Sequence, residues 1–382
     1  MYSKKPLKLY DYKVLGKLPN PFLFDNGELV KSLEDWNRRR EEIYRTAVEL
    51  QFGTIPPIPD YTEVELLSEG KQQRSYKIFC GRQDKCTSFL LKLILPQQKN
   101  CPIIIDGDLG SNYYMQPGFI DTALESGIGW AYFDRTELAH DVKEEGRGNG
   151  ALYQLYPEYT FGAIGAWAWA FCRCVDALEK LMLQEIDLKW IVACGHSRGG
   201  KAAILAGAID DRFKVVNPNE ACLGGGGCYR FYSIGDYPGL DRWPSETLKD
   251  IWAETGFWFG PGLGQYVNHE EELPFDAHFL KAMVAPRILV VSEAGGDMWA
   301  NPVGSWHTTI AAKEVYQFMG VPDNLLWYYR EGTHFHKSED IQMLVNAIKH
   351  CRDGTLLSDS FFKRPFMQYE KIYDWEAPII TN

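Results

Sequence analysis

Ile191-Val192-Ala193-Cys194-Gly195-His196-Ser197-Arg198-Gly199-Gly200-Lys201 is the stretch that decides the fold. Its first four residues are an apolar run suited to a strand. The chain leaves through Lys201-Ala202-Ala203-Ile204-Leu205-Ala206, a helix-forming run. Between them stands G-x-S-x-G with Ser197 at its centre. A serine raised out of a sheet on a strand-to-helix turn needs small neighbours, because side chains at 195 and 199 would strike the adjoining strand or helix. The helix start behind Ser197 offers backbone N–H groups and a positive dipole end where an oxyanion would develop. A bare G-x-S-x-G arises by chance in a glycine-rich chain. The strand before it and the helix after it make Ser197 the candidate nucleophile of an elbow.

Outward from the elbow, the chain alternates strand and helix patterns. Toward the N-terminus, Ile164, Trp167, Ala168, Phe171, Val175, Leu178 and Met182 recur at helical spacing and predict a helix packed on the sheet. Gly129–Asp134 and Pro102–Ile105 predict strands, with a short helix over Thr122–Gly127 and a polar surface loop over Arg135–Gln154. The loop Asp106-Gly107-Asp108-Leu109-Gly110 is a candidate source of a second oxyanion N–H. Ser75–Cys80 and Ser88–Leu95 predict two strands around a polar turn. Ser32 caps a helix from Leu33 to Gln51 that buries Trp36, Ile43, Tyr44, Ala47 and Leu50. Toward the C-terminus, Phe213–Asn217, Arg287–Glu293 and Leu325–Tyr329 are compact apolar runs of strand length. Continuous apolar strands with helices between them predict a mostly parallel central sheet flanked by helices on both faces, the three-layer α/β-hydrolase fold. The expectation is one such domain over 1–382, with an N-terminal wrap and helix in 1–70 and an insertion in 223–285 that roofs the active site.

The 382 residues suffice for that core, and 45% hydrophobic with 14% aromatic residues indicates a packed globule. A net charge of −11 argues against nucleic acid and anionic membrane as partners. No run approaches the length of a membrane span. The opening, MYSKKPLKLYDYKVLG, has no apolar signal-peptide core. The expected compartment is therefore cytoplasmic, with secretion after removal of a leader as the alternative. Nine cysteines in no metal-like spacing read as free thiols. No metal and no cofactor is expected.

A serine nucleophile needs a base, and the base an orienting acid. In this fold they follow in the order Ser, acid, His, at the carboxyl ends of strands. The last strand runs into Arg330-Glu331-Gly332-Thr333-His334-Phe335-His336, and loop position favours His334 over His336 as the base. His196 faces the wrong way for that task. His140, His269 and His350 read as solvated, and His278 and His307 as packing. Two acids compete. Glu220 follows the Phe213–Asn217 strand and Asp297 the Arg287–Glu293 strand, so both carboxylates can reach one imidazole.

GHSRGGK, NPNEACLGGGGCYR, LPFDAHFLKAMVAPR, DMWANP and EGTH together resemble the glucuronoyl esterases of carbohydrate esterase family 15. The N-terminal LPNPFLFDNG with its Trp-bearing helix looks like the bacterial members. The resemblance spans roughly residues 18 to 345. It implies hydrolysis of the ester between a glucuronic acid of xylan and a lignin alcohol, with glucuronoxylan or a glucuronate-ester oligosaccharide as partner. It implies Ser197 as nucleophile, His334 as base and Glu220 as the dominant acid, with Asp297 matching a second acid of some bacterial members. Arg198 matches the family's oxyanion arginine, Lys201 and Trp299 match sugar contacts, and Glu254 a further sugar-contacting glutamate. The chain departs from the fungal pattern at His196, where fungal relatives carry cysteine, and at Phe335, so a disulfide between nucleophile and base loops is not available. Two other functions compete: an acetyl or aryl esterase on plant-wall oligosaccharides, and a non-catalytic carbohydrate-binding relative. The intact Ser197, His334 and Glu220 set argues against the second.

Overall fold

The computed structural model describes residues 12–108, 118–234, 244–363 and 370–380. In chain order the strands are β1 (Tyr12–Val14), β2 (Tyr61–Glu69), β3 (Gln73–Arg82), β4 (Lys85–Ile94), β5 (Cys101–Asp106) and β6 (Gly129–Phe133). They continue with β7 (Ile186–His196), β8 (Phe213–Asn219), β9 (Phe231–Ser233), β10 (Ile288–Ala294) and β11 (Leu325–Arg330). The helices are α1 (Leu33–Ile43), α2 (Phe119–Glu125), α3 (Ala151–Leu155), α4 (Ala163–Leu181) and α5 (Arg198–Ile209). After them come α6 (Leu248–Thr255), α7 (His278–Val284), α8 (Pro302–Phe318) and α9 (Ser338–Asp353).

Nine strands make one sheet in the order β11-β10-β8-β7-β5-β6-β4-β3-β2. From β6 to β11 every pairing is parallel, and from β6 through β4 and β3 to β2 every pairing is antiparallel. This is the α/β-hydrolase arrangement expected from the sequence. Alternation along the central strands feeds both layers. Ile103, Ile105, Ile191, Ala193, Leu289 and Val291 join the larger core, under α4, α5, α7 and α8. Ile104, Val192, Val215 and Val290 join the smaller one, under α2 and α9. A sheet buried on both sides is why these strands read as unbroken apolar runs.

Several elements escaped the sequence pattern. The edge strand β2 is mostly exposed and lacks the apolar run of the inner strands. β1 pairs antiparallel with β9, a contact between segments that only the folded chain brings together. The segment 135–154, expected as a polar surface loop, carries α3 and buries Arg135 and most of Asp141.

The N-terminal segment is fastened at many points. Ser32 Oγ accepts the Asp35 N–H (3.0 Å) and caps α1 as expected. The helix then widens into a π-helical stretch over Tyr44–Leu50. Gln51 Nε2 donates to the Gly224 carbonyl (2.9 Å), and the Gly260 N–H donates to the Gln51 carbonyl (2.9 Å), which joins this segment to the insertion. His278 Nε2 lies 2.8 Å from the Pro19 carbonyl. Lys17 pairs with Asp374, the Leu18 N–H donates to the Ile372 carbonyl, and Phe22 packs edge-on against Trp375.

Candidate active site

Ser197 sits between β7 and α5 with φ 54° and ψ −119°, a conformation an L-residue adopts only under constraint. The constraint is visible. A Cβ on Gly195 would collide with the Gly199 carbonyl, and one on Gly199 would lie 2.5 Å from Asp108 Oδ2. The Ser197 N–H is taken by the Asn219 carbonyl (2.9 Å), so the elbow's free donor for an oxyanion is the next one, the Arg198 N–H. Of the loop proposed for the second donor, Leu109 and Gly110 lie outside the described residues. The Asp108 N–H is bonded to Asp106 Oδ1 (2.8 Å).

The loop after β11 brings His334 to the elbow: its ring centroid is 4.6 Å from that of His196, the residue before Ser197. His334 Nδ1 lies 2.6 Å from Asp297 Oδ2 and 3.4 Å from Glu220 Oε2. A ring nitrogen between two carboxylates carries the proton, which leaves Nε2 as the basic atom. Burial works against the charged imidazole, but the bonds to Asp297 and Glu220 outweigh it and lift the His334 pKa to about 9.

The two acids expected to compete for His334 both reach it, at different distances. Asp297 makes the short bond. Glu220 is fully buried, its other oxygen paired with the Arg330 guanidinium. Burial pushes the Glu220 carboxyl up, to about 8, against the pull of His334 and Arg330. Arg330 ends β11 and binds Asp340 Oδ1 of α9 (2.6 Å) and the Phe335 carbonyl (2.6 Å) as well as Glu220. It therefore clamps the base loop to the β8 end. Sequence reasoning missed this residue; its signal was an arginine directly after the last strand.

His336 is buried, stacked on His196 (5.3 Å, 14°) and edge-on to Phe119 (4.7 Å). Burial drives its pKa down to about 3, so it packs as a neutral ring behind His334. His196 is buried too, with Nδ1 2.7 Å from Asn219 Oδ1. His278 and His307 are buried, and His140 and His269 are exposed. His196, Glu220 and His334 bring donor atoms within 4.8 Å of one another, close enough to share a cation. Asp297 on the imidazole and Arg330 on Glu220 already occupy two of those groups.

On the other side of Ser197, Arg198 Nη1 donates to Asp141 Oδ2 (2.8 Å), and its guanidinium lies over Trp258, 4.9 Å from the ring centroid. Lys201, one helical turn on, is buried, with its ammonium 5.7 Å from the same ring.

Comparison with known proteins now bears on this geometry. A family model described as glucuronyl esterase, fungi, matches residues 78–320, well over half of the chain. The chain belongs to the glucuronoyl esterase family. It is 30% identical over 312 residues to 4-O-methyl-glucuronoyl methylesterase 1 of Phanerochaete chrysosporium, a match covering 80% of this chain but only 63% of that protein. It superposes on a carbohydrate esterase family 15 glucuronoyl esterase from Caldicellulosiruptor kristjansonii with a TM-score of 0.85 and 29% identity, covering 97% of this chain and 100% of the other. A serine-to-alanine variant of the Sporotrichum thermophile glucuronoyl esterase, in complex with methyl 4-O-methyl-beta-D-glucopyranuronate, gives a TM-score of 0.74 at 28% identity over 92% of this chain and 91% of that one.

Within this family fold, the residues assigned to the sugar divide. Trp299 is 38% exposed beside the Asp297 loop. Its carbonyl accepts the Glu246 N–H (3.1 Å). Glu246 is buried, and burial raises its pKa against the pull of Lys201 and His334. Glu254 is elsewhere: its side chain is 69% exposed on α6 and pairs with Lys143 (2.8 Å). Glu246, not Glu254, is the glutamate grouped with Lys201 and His334. The insertion's irregular backbone hid this, since no local periodicity marks which glutamate turns inward.

Proposed function

We propose that this protein is a serine carboxylic-ester hydrolase that cleaves esters of (4-O-methyl-)glucuronic acid on xylan with lignin-type alcohols. The observation that carries the proposal is His334 Nδ1 held by Asp297 at 2.6 Å, with the imidazole packed against His196 of the Ser197 elbow. Ser197 Oγ attacks the uronate carbonyl while His334 Nε2 takes its proton and returns it to the departing alcohol. Arg198 and its N–H stabilise the tetrahedral oxyanion. Water then repeats the sequence and frees the uronate. The relatives named 4-O-methyl-glucuronoyl methylesterase and the methyl glucuronate ester bound by the Sporotrichum enzyme support this substrate class. The bacterial-type placement read from the sequence is not borne out, since the matching family model is described as glucuronyl esterase, fungi; His196 and Phe335 still leave no cysteine pair between the nucleophile and base loops. The nine unpaired thiols favour a reducing, cytoplasmic compartment.

Hydrolysis of benzyl glucuronate tests the reading. Wild type should turn it over far faster than p-nitrophenyl acetate or acetylated xylan, and Ser197→Ala should lose on the order of 10⁴-fold or more in kcat. Preference for the acetyl substrates would replace the uronate ester with an acetyl or aryl ester. Full activity in Ser197→Ala would remove the nucleophile.

A further inference from the structure

Between the nucleophile and the antiparallel half of the sheet lies a row of charges of alternating sign. Asp108, after β5, pairs with Arg135, after β6. Arg135 Nη2 is 3.8 Å from Asp141 Oδ2, and Asp141 Oδ2 binds Arg198 at the start of α5. Two tryptophans back the row. Arg135 stacks on Trp167 (4.8 Å) and Arg198 on Trp258 (4.9 Å), and the two indoles meet edge-on at 6.1 Å. Asp141 Oδ1 accepts the Trp258 Nε1–H (2.7 Å). Asp141 is thus fixed by partners other than Arg198, and its side chain is only 12% exposed. The Arg198 side chain is 45% exposed, so the largely buried carboxylate is the anchor of the pair.

We infer that Asp141 and Trp258 are positioning residues that hold the Arg198 guanidinium in place for the oxyanion. The inference rests on the oxyanion role of Arg198 in the proposed reaction. A long side chain with five donors reaches many orientations, and an oxyanion donor acts only if it is already in place when charge develops. The indole face limits the guanidinium to one plane, and the Asp141 oxygen sets its rotation within that plane. One anchor therefore serves both elements. Asp141 orients Trp258 through Nε1–H and Arg198 through Nη1.

A carboxylate beside an oxyanion site also has an opposite effect, since its charge opposes the developing negative charge. The two effects give Asp141→Asn opposite signs. If aim dominates, kcat falls; if charge dominates, kcat rises.

The test is a mutant cycle on benzyl glucuronate with kcat and KM measured separately. Arg198→Ala should lower kcat about 100-fold, as loss of an oxyanion donor does. Asp141→Asn should lower kcat about tenfold with KM within about twofold, and the double variant should match Arg198→Ala, because an anchor without its arginine has nothing to hold. Trp258→Phe keeps the aromatic plate but loses the Nε1–H bond. It should lower kcat about threefold and carries the test if Asp141→Asn does not fold, as judged by its thermal unfolding midpoint. Added guanidinium should restore part of the activity of Arg198→Ala and none of Asp141→Asn/Arg198→Ala, a readout that a merely structural role would not move. A rise in kcat for Asp141→Asn, a double variant at the product of the singles, or equal rescue of both backgrounds overturns the inference. Full activity in Arg198→Ala also overturns it, while ester hydrolysis that still depends on Ser197 would leave the proposed function standing.

Discussion

Glu220 leaves the end of β8 and Asp297 the loop after β10, adjacent strands, and both carboxylates converge on Nδ1 of His334. They differ in what else they touch. Asp297 keeps a side-chain oxygen on the imidazole and otherwise accepts the Ala300 N–H (3.3 Å) within its own turn. Glu220 gives its other oxygen to Arg330, which also holds α9 and the base loop. Asp297 thus holds the imidazole at the shorter distance, while Glu220 ties the end of β8 to Arg330 beneath the base loop. Position at a strand end does not distinguish the roles; the neighbouring cation does.

Several measurements sharpen or break that division. His334→Ala should cost on the order of 10⁴-fold in kcat, and combining it with Ser197→Ala should cost no more, since both act in one relay. Asp297→Asn should follow, at about 10³-fold, with Glu220→Gln near tenfold. The reverse order of these two would return the orienting role to Glu220. Stability should invert the ranking. Glu220→Ala removes one of the two carboxylates on the buried Arg330 guanidinium and should lose about 2 kcal/mol in urea unfolding, whereas Asp297→Ala leaves only a partly exposed imidazole and should lose about 1 kcal/mol.

The pH profile separates the acids again. A base raised to about 9 must lose its proton to work, so kcat/KM should climb with pH through about 9. The same shift stabilises the fold fully below the ordinary histidine value of 6.5, and that contribution is lost as pH rises through about 9. Removing Asp297 should move the limb toward 6.5, and a limb unmoved by Asp297→Asn would deny the short bond its importance. At the sugar side, Glu246→Gln should raise KM several-fold with little change in kcat. The smallest effect belongs to Glu254→Ala, which should stay within about twofold of wild type, as surface pairs of this kind contribute little.

What the sequence disclosed follows from where the physics is local. The elbow was legible because steric crowding at Gly195 and Gly199 leaves its mark within five residues. The parallel strands were legible because burial on both faces makes them uniformly apolar. Loop position favoured His334 over His336, and His334 is the one that lies against the acids while His336 packs between His196 and Phe119. The order of the acids was not legible. Glu220 pairs with Arg330, 110 positions away, and no spacing rule announces such a contact. Asp141, Trp258 and Glu246 were hidden for the same reason: each lies on an irregular segment and gains its role from a distant partner.

The clasp between Lys17–Leu18 and Ile372–Trp375 joins positions 357 apart. On a ribosome adding about 5–20 residues per second, the first of these waits tens of seconds for the last. Over that interval Phe22 lacks the indole of Trp375 that later covers it. The nucleophile elbow emerges well before the clasp, but β11 and His334 come only about 40 residues before it, so vectorial synthesis completes the catalytic centre and seals the outer wrap in close succession.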